Sequence, residues 1–124
     1  MALKKILIID DEPSIINFIV DVANLIAFEP KFLMESKKAV ATAKLWEPDI
    51  ICLDILMPSP DGIEILTQLK ADPETAPIPV LILTAVNLTP EIKKKLSAAQ
   101  AIFPKPIDVK SFIAKLRDLE PIPS

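Results

Sequence analysis

Four short aliphatic runs each stop at a side chain able to do chemistry, and that repetition limits the folds open to this chain of 124 residues. Ile6-Leu7-Ile8-Ile9 ends in Asp10 and Asp11, and Ile50-Ile51-Cys52-Leu53 ends in Asp54. Val80-Leu81-Ile82-Leu83 ends in Thr84, and Ala101-Ile102-Phe103-Pro104 ends in Lys105. Each run reads as a buried strand. Longer amphipathic segments separate them, the alternation expected of βαβ units and a parallel sheet. In an open α/β sheet the carboxyl ends of neighbouring strands converge on one crevice, where ligands bind. Three acids, a hydroxyl and an ammonium gathered there suit a cation and a phosphoryl group.

The pattern gives five strand–helix pairs. A first helix is expected over residues 13 to 27, with Pro13 in its first turn and Asn17, Asp21 and Asn24 as a polar stripe. A weaker strand is expected over residues 31 to 34. Ser36 is then placed to cap a helix reaching Trp46, with Ala39, Ala43 and Trp46 inward. After Asp54 comes the loop Met57-Pro58-Ser59-Pro60-Asp61-Gly62, holding the only glycine, and a helix buried through Ile65, Leu66 and Leu69. Thr89 and Pro90 open a fourth helix with Ile92, Leu96 and Ala99 on one face. Asp108 caps a last one buried through Val109, Phe112, Leu116 and Leu119. The thirteen prolines fall almost entirely between elements or at helix starts. The expected domain covers residues 1–120, with 121–124 as a tail or linker stub.

Composition narrows the chemistry. The chain has no histidine, which excludes Ser-His-Asp catalysis and histidine-containing zinc sites. A net charge of −3 argues against direct nucleic-acid binding. No apolar run approaches the roughly 20 residues of a spanning helix, so membrane insertion is not expected, and the lone Cys52 fits a reducing cytoplasm. Within its aliphatic run, Cys52 reads as a small core residue.

Two carboxylates about 4 Å apart repel by roughly 4 kcal/mol at an effective dielectric near 20, so three together call for a counter-charge. Oxygen-only ligands favour a hard cation, and Mg²⁺ typically takes one or two carboxylates, waters and a substrate phosphate. Asp54, alone on a central strand, is the natural nucleophile, because carboxylates can attack phosphorus. Mg²⁺ and Lys105 can neutralise the transferred group, and Thr84 can donate its hydroxyl to a phosphoryl oxygen. Taken singly, each residue is more often a turn acid, a strand threonine or a solvated lysine. Their joint placement favours a site.

These residues resemble the receiver domain of two-component response regulators over essentially the whole chain. The likeness rests on Ile8-Ile9-Asp10-Asp11-Glu12-Pro13, on 49–58 running into Asp61-Gly62, on Leu83-Thr84-Ala85 and on Lys105-Pro106. It implies an α/β, flavodoxin-like, doubly wound parallel sheet of five strands in 2-1-3-4-5 order with five helices, an order known for the family's chemotaxis member. It implies that Asp54 accepts a phosphoryl group from a phosphohistidine on a sensor histidine kinase or histidine phosphotransfer protein. Asp10, Asp11, Asp54 and the Leu56 backbone carbonyl would hold Mg²⁺, Thr84 and Lys105 would assist, and the Lys105-Pro106 bond would be cis. The output would be an altered surface around helix 4, strand 5 and helix 5 for a downstream protein target, with a homodimer left open. Such a domain catalyses its own phosphorylation and slow dephosphorylation without being a turnover enzyme.

The resemblance breaks in places. Receivers usually carry Tyr or Phe three residues before the lysine, where this chain has Ile102, and alternation turns Phe103 to the opposite face. Switching is therefore expected to rely on Thr84 and the loop before the fourth helix. The positions two beyond Asp54 and two beyond Thr84 are Leu56 and Val86, neither able to orient water, so slow self-dephosphorylation is expected. Ile102 motivates an alternative, a phosphorylation-independent pseudo-receiver acting as an interaction module. An aspartate-nucleophile phosphatase would want its nucleophile and a second acid two positions apart after the first strand, and Asp10-Asp11 are adjacent.

Overall fold

The structure, a computed structural model, describes residues 3–58, 60–85 and 87–119. Five parallel strands, β1 (Lys4–Ile9), β2 (Phe28–Leu33), β3 (Ile50–Asp54), β4 (Val80–Thr84) and β5 (Ala101–Pro104), form one sheet in the order β2-β1-β3-β4-β5. Five helices connect and follow them: α1 (Pro13–Leu25), α2 (Ala39–Trp46), α3 (Gly62–Ala71), α4 (Pro90–Lys95) and α5 (Val109–Asp118). The expected strand order and helix number are those found.

The three central strands each carry an unbroken apolar stretch, residues 6–9 in β1, 50–53 in β3 and 80–83 in β4, because both faces are covered there. On one face Leu7, Ile9, Ile51, Leu53 and Ile82 pack under α2, α3 and the Leu96 turn that ends α4. On the other Ile6, Ile8, Ile50, Cys52, Leu81 and Leu83 pack under α1 and α5. Cys52 is fully buried, and its burial pushes the thiol far above its ordinary range, so it is an inert core residue.

Several helix starts follow the expected chemistry. Asp61 accepts from the Glu64 N–H at 2.9 Å, Thr89 from Ile92 at 3.2 Å and Asp108 from Ser111 at 3.3 Å. Ala39 and Ala43 are buried, as are Ile65, Leu66 and Leu69.

Other boundaries differ. The first helix ends at Leu25 rather than residue 27, because Ala27 takes a left-handed φ of 61° that no helix continues. The second strand accordingly begins at Phe28, whose ring is buried in the α1 cluster, three residues before the expected start. Ser36 does not cap a helix through its side chain: its hydroxyl donates to the Pro58 carbonyl at 3.1 Å, and a single 3₁₀ turn, Ser36–Lys38, precedes α2. Val109, expected inward, is 44% exposed. A side chain at the first position of a helix leans back over the segment before it, here the loop leaving β5, so the buried stripe starts at Phe112. Two prolines lie inside strands, Pro30 in β2 and Pro104 in β5, and both are edge strands. The expected tail, 121–124, lies outside the described residues.

Candidate functional site

Register brings the site together. Ile9 pairs with Leu53, so Asp10 follows beside Asp54 at the ends of adjacent strands, and Asp54 pairs with Leu83, one residue before Thr84. Thr84 pairs with Pro104 in β5, and its carbonyl accepts the Lys105 N–H at 2.8 Å. The Lys105-Pro106 bond is cis. Backbone pairing alone thus aligns the carboxyl ends of β1, β3, β4 and β5 along one edge.

The side chains converge there. Lys105 Nζ lies 3.4 Å from Asp10 Oδ2, 3.4 Å from Glu12 Oε1 and 3.6 Å from Asp54 Oδ1. One carboxylate oxygen from each of Asp10, Asp11 and Asp54 lies within 4.8 Å of the other two. Asp10 and Asp54 are buried and Asp11 is exposed, so the acidic group opens to solvent on one side. The Glu12 N–H donates to Asp10 Oδ1 at 2.9 Å and the Leu56 N–H to Asp54 Oδ1 at 3.2 Å, fixing both carboxylates from the backbone. Thr84 is buried at the end of β4.

Burial dominates the electrostatics. It pushes Asp54 up to about 6, with the Asp10 charge adding to the shift while Lys105 and the Leu56 N–H oppose it. Asp10 is raised for the same first reason, against the Glu12 N–H and Lys105. Burial pulls Lys105 down, but the combined attraction of Asp10, Asp54 and Glu12 outweighs it and leaves the ammonium raised. Lys105 is therefore a charged lysine, and the acids around it remain short of positive charge.

Gly62 sets the floor of this edge. A methyl group there would meet Ile55 Cα at 2.6 Å and the Asp54 carbonyl oxygen closer still, so the start of α3 rests on the backbone of β3's end. The Gly62 N–H also donates to the Ile55 carbonyl at 3.0 Å.

The family model of the response regulator receiver domain matches residues 6–117. The chain belongs to the response regulator receiver family. It is 34% identical over 121 residues to the DNA-binding dual master transcriptional regulator RpaA of Synechocystis, covering 94% of this chain and 49% of that protein. It is also 34% identical over 116 residues to the response regulator PleD of Caulobacter vibrioides, covering 93% of this chain and 26% of PleD. The chain thus spans about half or less of the length of these relatives. Among solved structures, the chemotaxis protein CheY4 of Vibrio cholerae superposes with a TM-score of 0.86 at 25% identity, covering 96% of this chain and all of that one. The N-terminal domain of a response regulator receiver protein from Methanoculleus marisnigri superposes with a TM-score of 0.77 at 29% identity, over 98% of this chain and 100% of that one.

Receiver domains generally bind Mg²⁺, and the residues here fit it. A six-coordinate Mg²⁺ with bonds of about 2.1 Å spaces its ligand oxygens roughly 3 to 4 Å apart, a small contraction of the acidic group seen. Its donors are oxygens, and its charge would oppose the burial that lifts Asp54 and Asp10 and the Asp10 repulsion that adds to the Asp54 shift.

The receiver also shows where it departs from its family. Ile102 is half-buried in the cluster that holds Leu88 and Ile92, while Phe103 lies on the opposite face with its ring edge-on to Phe112, centroids 5.4 Å apart at 86°. Val86 lies outside the described residues. Glu12 was visible in the sequence as part of a motif, but its contact with Lys105 joins residues too far apart in the chain for any local pattern to reveal. Among the described residues no helix is long and apolar enough to cross a membrane.

Proposed function

We propose that this receiver is a phosphorylation switch in which Asp54 is the phosphoacceptor. A carboxylate oxygen of Asp54 attacks the phosphorus of a phosphohistidine on a partner kinase or phosphotransfer protein. The new O–P bond forms as the P–N bond breaks, and the departing imidazole nitrogen takes up a proton. These 124 residues hold no histidine, so the donor histidine lies outside them. Asp10, Asp11, Asp54 and the Leu56 carbonyl would hold Mg²⁺, which supplies positive charge to the transferred group. Lys105 adds a second positive charge, and Thr84 offers its hydroxyl to a phosphoryl oxygen. The single observation that carries this reading is the placement of Lys105 Nζ within 3.6 Å of both Asp10 and Asp54, with the third acid beside them.

The output would be read at α4, β5 and α5 by a protein partner. Ile102, Leu88 and Ile92 belong to one packed cluster, so a shift of Thr84 and the following loop has an apolar contact through which to move α4. Residues 1–120 act as one receiver domain in this account.

Incubation with acetyl phosphate and Mg²⁺, resolved on a phosphate-affinity gel, is expected to give a retarded band that Asp54→Ala abolishes. Wild-type protein without the band would instead favour the phosphorylation-independent module that Ile102 motivates. A band surviving Asp54→Ala would place the acceptor elsewhere.

A further inference from the structure

We propose that Glu12 is a positioning residue that holds the Lys105 ammonium at the mouth of the site and releases it to the arriving phosphoryl group, an inference that rests on the phosphoacceptor reading of Asp54. A lysine ammonium has three protons to donate. Here it faces three carboxylates, from Asp10 at 3.4 Å, Glu12 at 3.4 Å and Asp54 at 3.6 Å. The ammonium donates to Asp10 and Glu12 through hydrogen bonds longer than the roughly 2.7 to 2.9 Å of a short charge-assisted one and is ion-paired with Asp54, so it stands at a branch point shared among three acids.

The three partners are not equivalent. The side chains of Asp10 and Asp54 are 0% and 3% exposed, whereas that of Glu12 is 53% exposed. Withdrawing the lysine from either buried acid strands a desolvated charge, while withdrawing it from Glu12 returns that carboxylate to water. Glu12 is thus the arm released most readily. It is also the arm on the solvent side, from which a phosphoryl donor must come.

Apart from Lys105, the Glu12 carboxylate has one partner among the described residues, the exposed Ser14 hydroxyl, which donates to its other oxygen at 3.4 Å. Glu12 is the N-cap of α1, but its side chain makes no capping hydrogen bond, and its carbonyl accepts the Ile15 and Ile16 N–H groups instead. Its own N–H is spent on Asp10 Oδ1. Among the described residues it is not one of the acids close enough together to share an ion, which are Asp10, Asp11 and Asp54. Its role is therefore separable from metal ligation.

Removing the Glu12 charge should free Lys105 to meet the arriving anion. In Glu12→Gln, KM for acetyl phosphate at saturating Mg²⁺ is expected to fall about fivefold, with the maximal phosphorylation rate and the affinity for Mg²⁺ alone each within about twofold of wild type. Binding of beryllofluoride with Mg²⁺, measured by calorimetry, should tighten by a similar factor. In a Lys105→Met background the same Glu12→Gln change should leave beryllofluoride affinity unmoved, because there is no ammonium left to release. An unchanged KM in Glu12→Gln, or a gain that persists without Lys105, would overturn the proposal while leaving Asp54 as the acceptor. Wild-type protein that takes no phosphoryl group would overturn both.

Discussion

Gly62 rests directly against the carbonyl of Asp54, leaving no room for a β-carbon. The obstacle is backbone on both sides, so no rotamer change relieves it. Gly62→Ala is expected to destabilise the domain by about 1–3 kcal/mol, the ordinary cost of overpacking. Because the strain falls on the peptide of the proposed acceptor, phosphorylation by acetyl phosphate should slow as well. Denaturant melts and the gel assay, run on the same preparation, check both; wild-type stability would show that α3 can move away freely.

Asp54 gives the domain a pH dependence opposite to that of a salt-bridged acid. Its carboxyl is lifted from 3.8 to about 6, first by burial, so between those values the folded chain keeps a proton that the unfolded chain has lost. Stability then falls as pH rises through that window, and the loss is complete above about 6. In metal-free buffer Asp54→Asn should be more stable than wild type by about 1–3 kcal/mol at pH 7, a gain that vanishes near pH 4. Equal gains at both pH values would contradict the burial explanation. Added Mg²⁺ should stabilise wild type at pH 7 far more than the variant, by mass action on the folded state.

Glu47 ends α2 with a left-handed φ of 53° on an exposed side chain. Glycine takes that conformation without steric penalty. Glu47→Gly is expected to raise stability by about 0.5–1 kcal/mol, seen as a rise of roughly 2 to 6 °C in Tm. A fall in Tm would mean that the glutamate side chain contributes more than its backbone strain removes.

Leu56 is 55% exposed beside Asp54 and offers no group to orient an attacking water. The phosphorylated protein is expected to persist for many minutes once the donor is removed. Leu56→Asn should shorten that lifetime about tenfold by supplying a hydrogen-bonding side chain. Loss of the phosphoryl group within seconds from the unmodified chain would refute the reasoning.

The parts of this fold that the sequence displayed are those governed by local chemistry. Uninterrupted aliphatic runs announce doubly covered strands, and Thr89 and Asp108 announce helix starts that form as expected, while Asp61, read as loop, proves to cap α3. The end of α1 was hidden because Ala27 turns the chain without the glycine that usually marks such a stop. Phe28 was hidden because Glu29, Pro30 and Lys31 follow it on an edge strand, where polarity masks the pattern. At the site, the strand-end residues were legible because register follows from topology. The Glu12 arm was not, since it depends on where a long side chain from the far edge of the sheet comes to rest.

Pro30 and Pro104 place a residue without an N–H donor in each of the two outermost strands. A neighbouring chain that tried to extend the sheet sideways would find missing rungs at either border, which discourages ribbon-like polymerisation. Self-assembly of this domain would then draw on its helices and loops, the parts that the phosphorylation proposed at Asp54 would reshape.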